Sequence, residues 1–152
     1  MNIRTIQANE LSILSKLYDY NDFDEMISSN KNKILNNTID IFGLFNDDSK
    51  IIGEIRVMYE NIDETFAKRN VRAYLYAFRI HEDYQNMGYG KHLINNVLLI
   101  LENRGYKEFT VGVEDDNYAI NIYKKMGFTK FLKKVNEEYQ GDKYTYNLYL
   151  KD

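Results

Sequence analysis

The stretch Gln85-Asn86-Met87-Gly88-Tyr89-Gly90 carries the clearest chemistry in this chain. It lies between a β-like run, residues 71–80, and a helix-like run, residues 89–104. A glycine turn from strand to helix aims several backbone N–H groups at one spot, at the positive end of the helix dipole. That spot suits a phosphate or a pyrophosphate, and glycine lets the ligand approach the backbone closely. The same spacing also makes a plain structural turn. Two other phosphate motifs are excluded. A dinucleotide fingerprint needs glycine where Leu93 stands, and a Walker loop needs glycine at Gln85 and Ser or Thr at His92. The chain has no cysteine, so thiolate chemistry and disulfides are out. Its two histidines, His81 and His92, are isolated, which argues against a zinc site, and no metal is expected.

Two segments together resemble the GCN5-related N-acetyltransferases. Residues 80–90 are similar to that family's acetyl-CoA loop, with its Arg/Gln-x-x-Gly-x-Gly/Ala signature at Gln85, Gly88 and Gly90. About thirty residues on, Ala119-Ile120-Asn121-Ile122-Tyr123-Lys124-Lys125-Met126-Gly127-Phe128 resembles the family's second conserved segment. The specific part of the resemblance spans residues 71–128. It implies an α/β fold of the GNAT type, a central mixed sheet whose two parallel strands splay at their C-terminal ends, flanked by helices. It also implies acetyl-CoA as co-substrate.

On that resemblance the pantetheine arm pairs with the backbone near Phe78, Arg79 and Ile80, and the pyrophosphate sits on the backbone N–H groups of residues 85–91. Gln85, Asn86, Met87, Gly88, Tyr89, Gly90 and Lys91 are therefore expected to bind the cofactor. Asn117 is expected to contact it too, although Asn117 lies two residues before Ala119 and the family spacing is three; Asp116 is the alternative. Tyr123 takes the place of the acid that protonates the departing thiolate. The reaction is direct attack by a neutral primary amine in a ternary complex. An alkyl ammonium with a pKa of about 10 is neutral in only about one molecule in a thousand at pH 7, so a proton must be removed. The family often carries a glutamate on the first splayed strand, but the matching position here is Tyr74. Glu54, Glu114, Glu82, Asp83, His81 and a water in a tyrosine-lined pocket stay open as the base.

These groups must be held by a defined set of elements. Residues 2–7 alternate as a first strand, and Asn9 is the expected cap of a helix presenting Leu11, Leu14, Leu17 and Tyr18. Residues 23–34 form a second helix, with Ser28-Ser29-Asn30 a poor interior. Residues 39–45 and 50–59 make a hairpin around a turn at 46–49, and residues 60–70 are a polar loop with a mobile tip. After the helix at 89–104, Gly105 suits its C-cap. Residues 108–113 form a strand parallel to residues 71–80, because a helix separates them. A short helix at 118–126 ends at Gly127. Residues 128–139 and 143–150 form a last antiparallel pair around Gln140-Gly141-Asp142.

Length and composition point to one domain over residues 1–152 with one core. The net charge of −3 and the lack of a basic stripe argue against nucleic acid. No apolar run approaches a membrane span and no signal sequence is visible, so a cytoplasmic location is expected. The acceptor is an amine of a small molecule or a protein. Slight acidity fits a cationic amine such as a polyamine or aminoglycoside, and Tyr74, Tyr76 and Phe78 either stack on the acceptor or are strand core. Family relatives are often dimers, so a homodimer is expected. The rival from another class is an acyl-CoA-binding module or sensor without turnover; a third reading is a structural domain that binds no ligand.

Overall fold

The computed structural model describes residues 1–139 and 141–152. The protein is a mixed α/β fold. Its strands are β1 (Asn2–Thr5), β2 (Ile39–Phe45), β3 (Ile51–Met58), β4 (Arg72–Ile80), β5 (Glu108–Val113), β6 (Phe128–Tyr139) and β7 (Asp142–Lys151). Its α-helices are α1 (Phe23–Leu35), α2 (Tyr89–Asn103) and α3 (Ala119–Lys125). The chain forms two compact units, residues 1–57 with 77–100, and residues 58–76 with 101–152. Strand β4 contributes its last residues to the first unit and its opening residues to the second.

In the first unit the strands hydrogen-bond in the order β1-β2-β3-β4. β1 runs antiparallel to β2, from Asn2 opposite Phe45 to Thr5 opposite Phe42. β2 and β3 are buried along nearly their whole length, with Asp40 on β2 and Glu54 and Arg56 on β3 interrupting otherwise apolar runs. Leu11, Leu14, Met26, Ile41, Leu44 and Ile55 make the core. Asp22 caps α1 by accepting from the Glu25 N–H at 3.0 Å. The poor interior of α1 is resolved locally. Asn30 is buried, and its amide donates to the Met26 carbonyl at 2.9 Å, so no polar group is stranded.

The segment before α1 departs from expectation. Residues Ala8–Lys16 form a 3₁₀ helix, and its cap is Gln7 rather than Asn9. The Glu10 carboxylate reaches back to the Gln7 N–H at 2.8 Å and to Arg4 Nη1 at 2.6 Å, which fixes the start two residues earlier. Leu11 and Leu14 are buried as expected, but Tyr18 lies beyond the helix and is 40 % exposed.

In the second unit the order is β4-β5-β7-β6. β4 and β5 are parallel, from Arg72 opposite Glu108 to Leu75 opposite Val111. β5 is antiparallel to β7, and β6 and β7 form a long antiparallel hairpin. The expected turn residue Gln140 lies outside the described residues. The segment at 60–70 is not merely a polar loop. Phe66 and Ala67 are buried, the Thr110 hydroxyl donates to the Phe66 carbonyl at 2.7 Å, and Arg72 Nη1 donates to the Thr65 carbonyl at 2.9 Å. Phe66 packs edge-on against Tyr74, which stacks on Tyr76. Gly112 faces this cluster, where a Cβ would come within 2.5 Å of the Tyr74 hydroxyl. Among the described residues no helix is long and apolar enough to cross a membrane.

Candidate active site

The end of β4 and the start of α2 lie in the first unit, and they hold most of the residues expected to bind the cofactor. Ala77 adopts φ 51°, an uncommon conformation for a residue with a Cβ, within the continuous strand β4. β4 then continues through Phe78, Arg79 and Ile80. Gly53 on β3 lets this end approach closely: a Cβ there would sit 2.7 Å from Ile80 Cδ1 and 3.1 Å from the Arg79 carbonyl oxygen. The His81 N–H donates to the Ile52 carbonyl at 2.8 Å and pins the strand exit.

A single 3₁₀ turn, Glu82–Tyr84, follows. His81 caps it, with Nδ1 accepting from the Asp83 N–H at 3.1 Å. Gln85 closes it by donating its side-chain amide to the Ile80 carbonyl at 2.9 Å, so the turn is tied to the strand it leaves. Tyr84 packs against His81 and Tyr89. Asn86 at φ 61° and Gly88 at φ 85° then reverse the chain. Met87 is exposed at the tip.

The first backbone bond of α2 runs from the His92 N–H to the Gly88 carbonyl at 3.1 Å. The N–H groups of Gly88, Tyr89, Gly90 and Lys91 therefore precede the intrahelical ladder. Among the described residues, its chain neighbours aside, none has an atom within 4 Å of where a Gly88 Cβ would be, so the face of the turn is open. The first turn of α2 carries no acidic side chain. These features fit a diphosphate: backbone donors, a fifteen-residue helix behind them, and room for the anion. α2 itself is anchored by a buried stripe, Leu93, Ile94, Val97 and Leu98. Each such side chain contributes about 1.5–3 kcal/mol when fully buried.

Beside the strand end lies a cluster that the residue pattern did not bring out as a unit. Glu54 on β3 is completely buried. Its Oε1 accepts from Arg56 Nε at 2.8 Å and its Oε2 from Arg79 Nη1 at 3.3 Å. The Tyr20 hydroxyl accepts from Arg56 Nη2 at 2.9 Å and from Arg79 Nη1 at 3.1 Å. Burial, with the Glu54 charge adding, raises the Tyr20 pKa, so that hydroxyl stays protonated. Both oxygens of Glu54 are taken up by guanidinium groups, and this arrangement argues against Glu54 as the base. The available signal was Glu54 and Arg56 two apart within the apolar run Ile51–Met58, which places both on one face.

The other two expected residues belong to the second unit. Tyr123 on α3 is buried, with Phe128 edge-on at 5.8 Å between ring centroids. Burial, with Tyr118 adding, pushes its pKa far up. Asn117 caps α3: its Oδ1 accepts from the Ala119 N–H at 2.9 Å, and its carbonyl accepts from the Ile120 N–H at 3.1 Å. Tyr74, where the family often has a glutamate, is held among Phe66, Tyr76 and Tyr146. Among the described residues no group of three or more His, Asp or Glu side chains could hold a metal ion.

Solved structures share this fold at low identity. A variant of the spermidine N-acetyltransferase from Vibrio cholerae superposes with a TM-score of 0.70 at 18% identity, covering 99% of this chain and 94% of that one. The PaiA N-acetyltransferase from Thermoplasma acidophilum, in complex with coenzyme A, gives 0.65 at 20%, covering 99% and 97%. The ribosomal-protein-alanine N-acetyltransferase from Brucella melitensis gives 0.69 at 15%, covering 99% of each chain. These likenesses show the fold. The family model described as the acetyltransferase (GNAT) family matches residues 8–128. With the glycine turn, the strand end and that match in hand, the chain belongs to the GNAT family of acetyl-CoA-dependent N-acetyltransferases.

Proposed function

We propose that this protein transfers the acetyl group of acetyl-CoA to the primary amine of a small molecule or protein, by direct attack in a ternary complex. The observation that carries this reading is the junction of β4 and α2. A strand end and a helix N-terminus are joined by a turn that passes through Asn86 and Gly88 at positive φ and leaves the Gly88 face open. Acetyl-CoA supplies the thioester carbonyl and the thiolate leaving group. The backbone N–H groups of residues 85–91 hold its diphosphate, with Gly88 and Gly90 admitting it, and the backbone of Phe78, Arg79 and Ile80 pairs with the pantetheine. A backbone N–H near Ile80 faces the oxygen on which charge develops. Asn117 orders the start of α3, next to its proposed contact with the cofactor.

Tyr123 gives its phenolic proton to the departing thiolate. What supports that role is its place in the second conserved segment; burial keeps the phenol protonated and also makes it a weaker acid. With Glu54 engaged by two arginines and Tyr74 in place of the strand carboxylate, the proton of the amine is left to water, His81, Glu82, Asp83 or Glu114. That replacement also supports a second reading, a module that binds acyl-CoA without turnover.

Thermal shift with acetyl-CoA, CoA, NAD and ATP tests the binding half. A ligand at 100 times its dissociation constant stabilises by about 2.7 kcal/mol, a shift of several degrees. A response to acetyl-CoA and CoA alone is expected, and no response to either defeats both readings. Amine-dependent thiol release then separates them: turnover supports the transferase, and binding without release under any amine supports the module.

A further inference from the structure

Two guanidinium groups, Arg56 and Arg79, meet one carboxylate, Glu54. The pair Glu54–Arg56 is sealed, with side-chain exposures of 0 % and 6 %, whereas the Arg79 side chain is 26 % exposed. Among the described residues Arg79 makes its hydrogen bonds, to Glu54 and Tyr20, through Nη1 alone. Its Nε and Nη2 edges are left for a ligand, and a guanidinium fork matches a carboxylate through two parallel bonds.

The head group is also held in place. Arg79 lies over the Tyr18 ring at 4.0 Å from its centroid, and Tyr18 meets Tyr20 edge-on at 5.0 Å. Phe23, at the start of α1, continues this aromatic wall 6.5 Å from Tyr20. Tyr18 and Phe23 are large aromatic residues left exposed, at 40 % and 37 %. An exposed aromatic wall around a fixed, half-satisfied cation is the surface that an organic anion fits.

We infer that Arg79, positioned by Glu54 and Tyr20, binds a carboxylate of the acceptor, so that the favoured acceptor is a primary amine that also bears a carboxylate. The inference rests on the transferase reading above and narrows its acceptor. One residue then serves two partners: its backbone pairs with the pantetheine, and its side chain holds the acceptor whose amine must reach the thioester. The open edges of Arg79 select for a carboxylate, and a polycation gains nothing from them. This reverses the expectation drawn from the net charge of the whole chain, which does not report the charge at one site.

Matched amines decide the matter with the unaltered protein. Leucine against isopentylamine, and phenylalanine against phenethylamine, differ only in the carboxylate. Calorimetric binding, with and without CoA, and thiol release with acetyl-CoA are measured for each pair and for spermidine. The carboxylated member is expected to bind about tenfold tighter or more, the worth of a charged hydrogen-bonded pair. In Arg79→Gln and Arg79→Lys that ratio should fall towards one, and Lys, lacking the fork, should not restore it. Tyr20→Phe, which keeps the charge but frees the fork, should reduce the ratio less. Equal or better binding of the decarboxylated amines or of spermidine overturns the inference. Carboxylate-dependent binding without thiol release upholds it while defeating the transferase reading.

Discussion

Arg56 Nε and Glu54 Oε1 lie 2.8 Å apart on one buried face of β3, with both side chains almost wholly removed from water. A charge pair in such a place is stable only while both members are present, because its partner has no solvent to turn to. Glu54→Gln is therefore expected to lower stability by about 3 kcal/mol, the cost of breaking one side of a buried pair. The double variant Glu54→Leu with Arg56→Met should recover much of that loss. Urea denaturation of the three proteins measures both numbers. If the single variant is as stable as the parent, the pair is not sealed as described.

Two glycines share a backbone conformation but not an environment, and they separate strain from ligand access. Gly88 has φ 85° and Gly105 has φ 97°, and among the described residues beyond its chain neighbours a Cβ on either would meet no atom within 4 Å. Alanine at either site should cost about 1–2 kcal/mol of backbone strain. Only Gly88→Ala should also weaken CoA binding, by tenfold or more, because the proposed diphosphate site lies at that turn and Gly105 is remote from it in sequence. Calorimetry with CoA on both variants checks this. Equal loss of affinity in Gly105→Ala would trace the effect to stability and remove the turn from the binding site.

The segments with strong local signals are legible in the residues alone. The bounds of β2 and β5 and the start of α2 follow from apolar period and glycine placement, which act within a few residues. Tyr123 and the turn at Gly88 stand out by motif. The start of the first helical segment is misread because Glu10 finds its partners behind it, at Gln7 and Arg4, and not in a cap ahead. Phe66 reads as one apolar residue in a polar stretch, and only the meeting with Tyr74 and Thr110 shows why it is buried. The family resemblance implies a part for Arg79 through its backbone. Its side-chain role depends on Tyr18, Tyr20 and Glu54, which are far away in sequence, and no local pattern encodes such a meeting.

Asp63 and Lys133 form an ion pair in the second unit, with Thr65 adding hydrogen bonds to the same carboxylate. The pair lowers the Asp63 pKa to about 2. Because the folded value lies below the ordinary one, the pair's stabilisation is fully present above about pH 4 and is lost as pH falls through about 2. Both side chains are more than a third exposed, at 41 % and 38 %, so solvent screening limits the contribution to about 1 kcal/mol or less. In Lys133→Ala the Asp63 carboxyl should titrate nearer its usual value, as followed by carboxyl-carbon NMR. An unchanged midpoint would assign the depression to Thr65 instead.

Tyr123→Phe removes one oxygen and keeps the ring that packs edge-on against Phe128. If the phenol protonates the leaving thiolate, kcat should fall by about 100-fold or more, within the range that positioned acids contribute. The thermal shift given by CoA should persist, since the phenol's proposed part is in the chemical step. A further readout tests the acid role rather than packing: a thioester whose leaving thiol has a low pKa needs less protonation, so its turnover should suffer less in the variant. Turnover of acetyl-CoA by the Tyr123→Phe variant at the parent rate would end the assignment. A loss equal for both thioesters would leave Tyr123 as a packing residue of α3, and the thiolate would then leave unprotonated or take its proton from water.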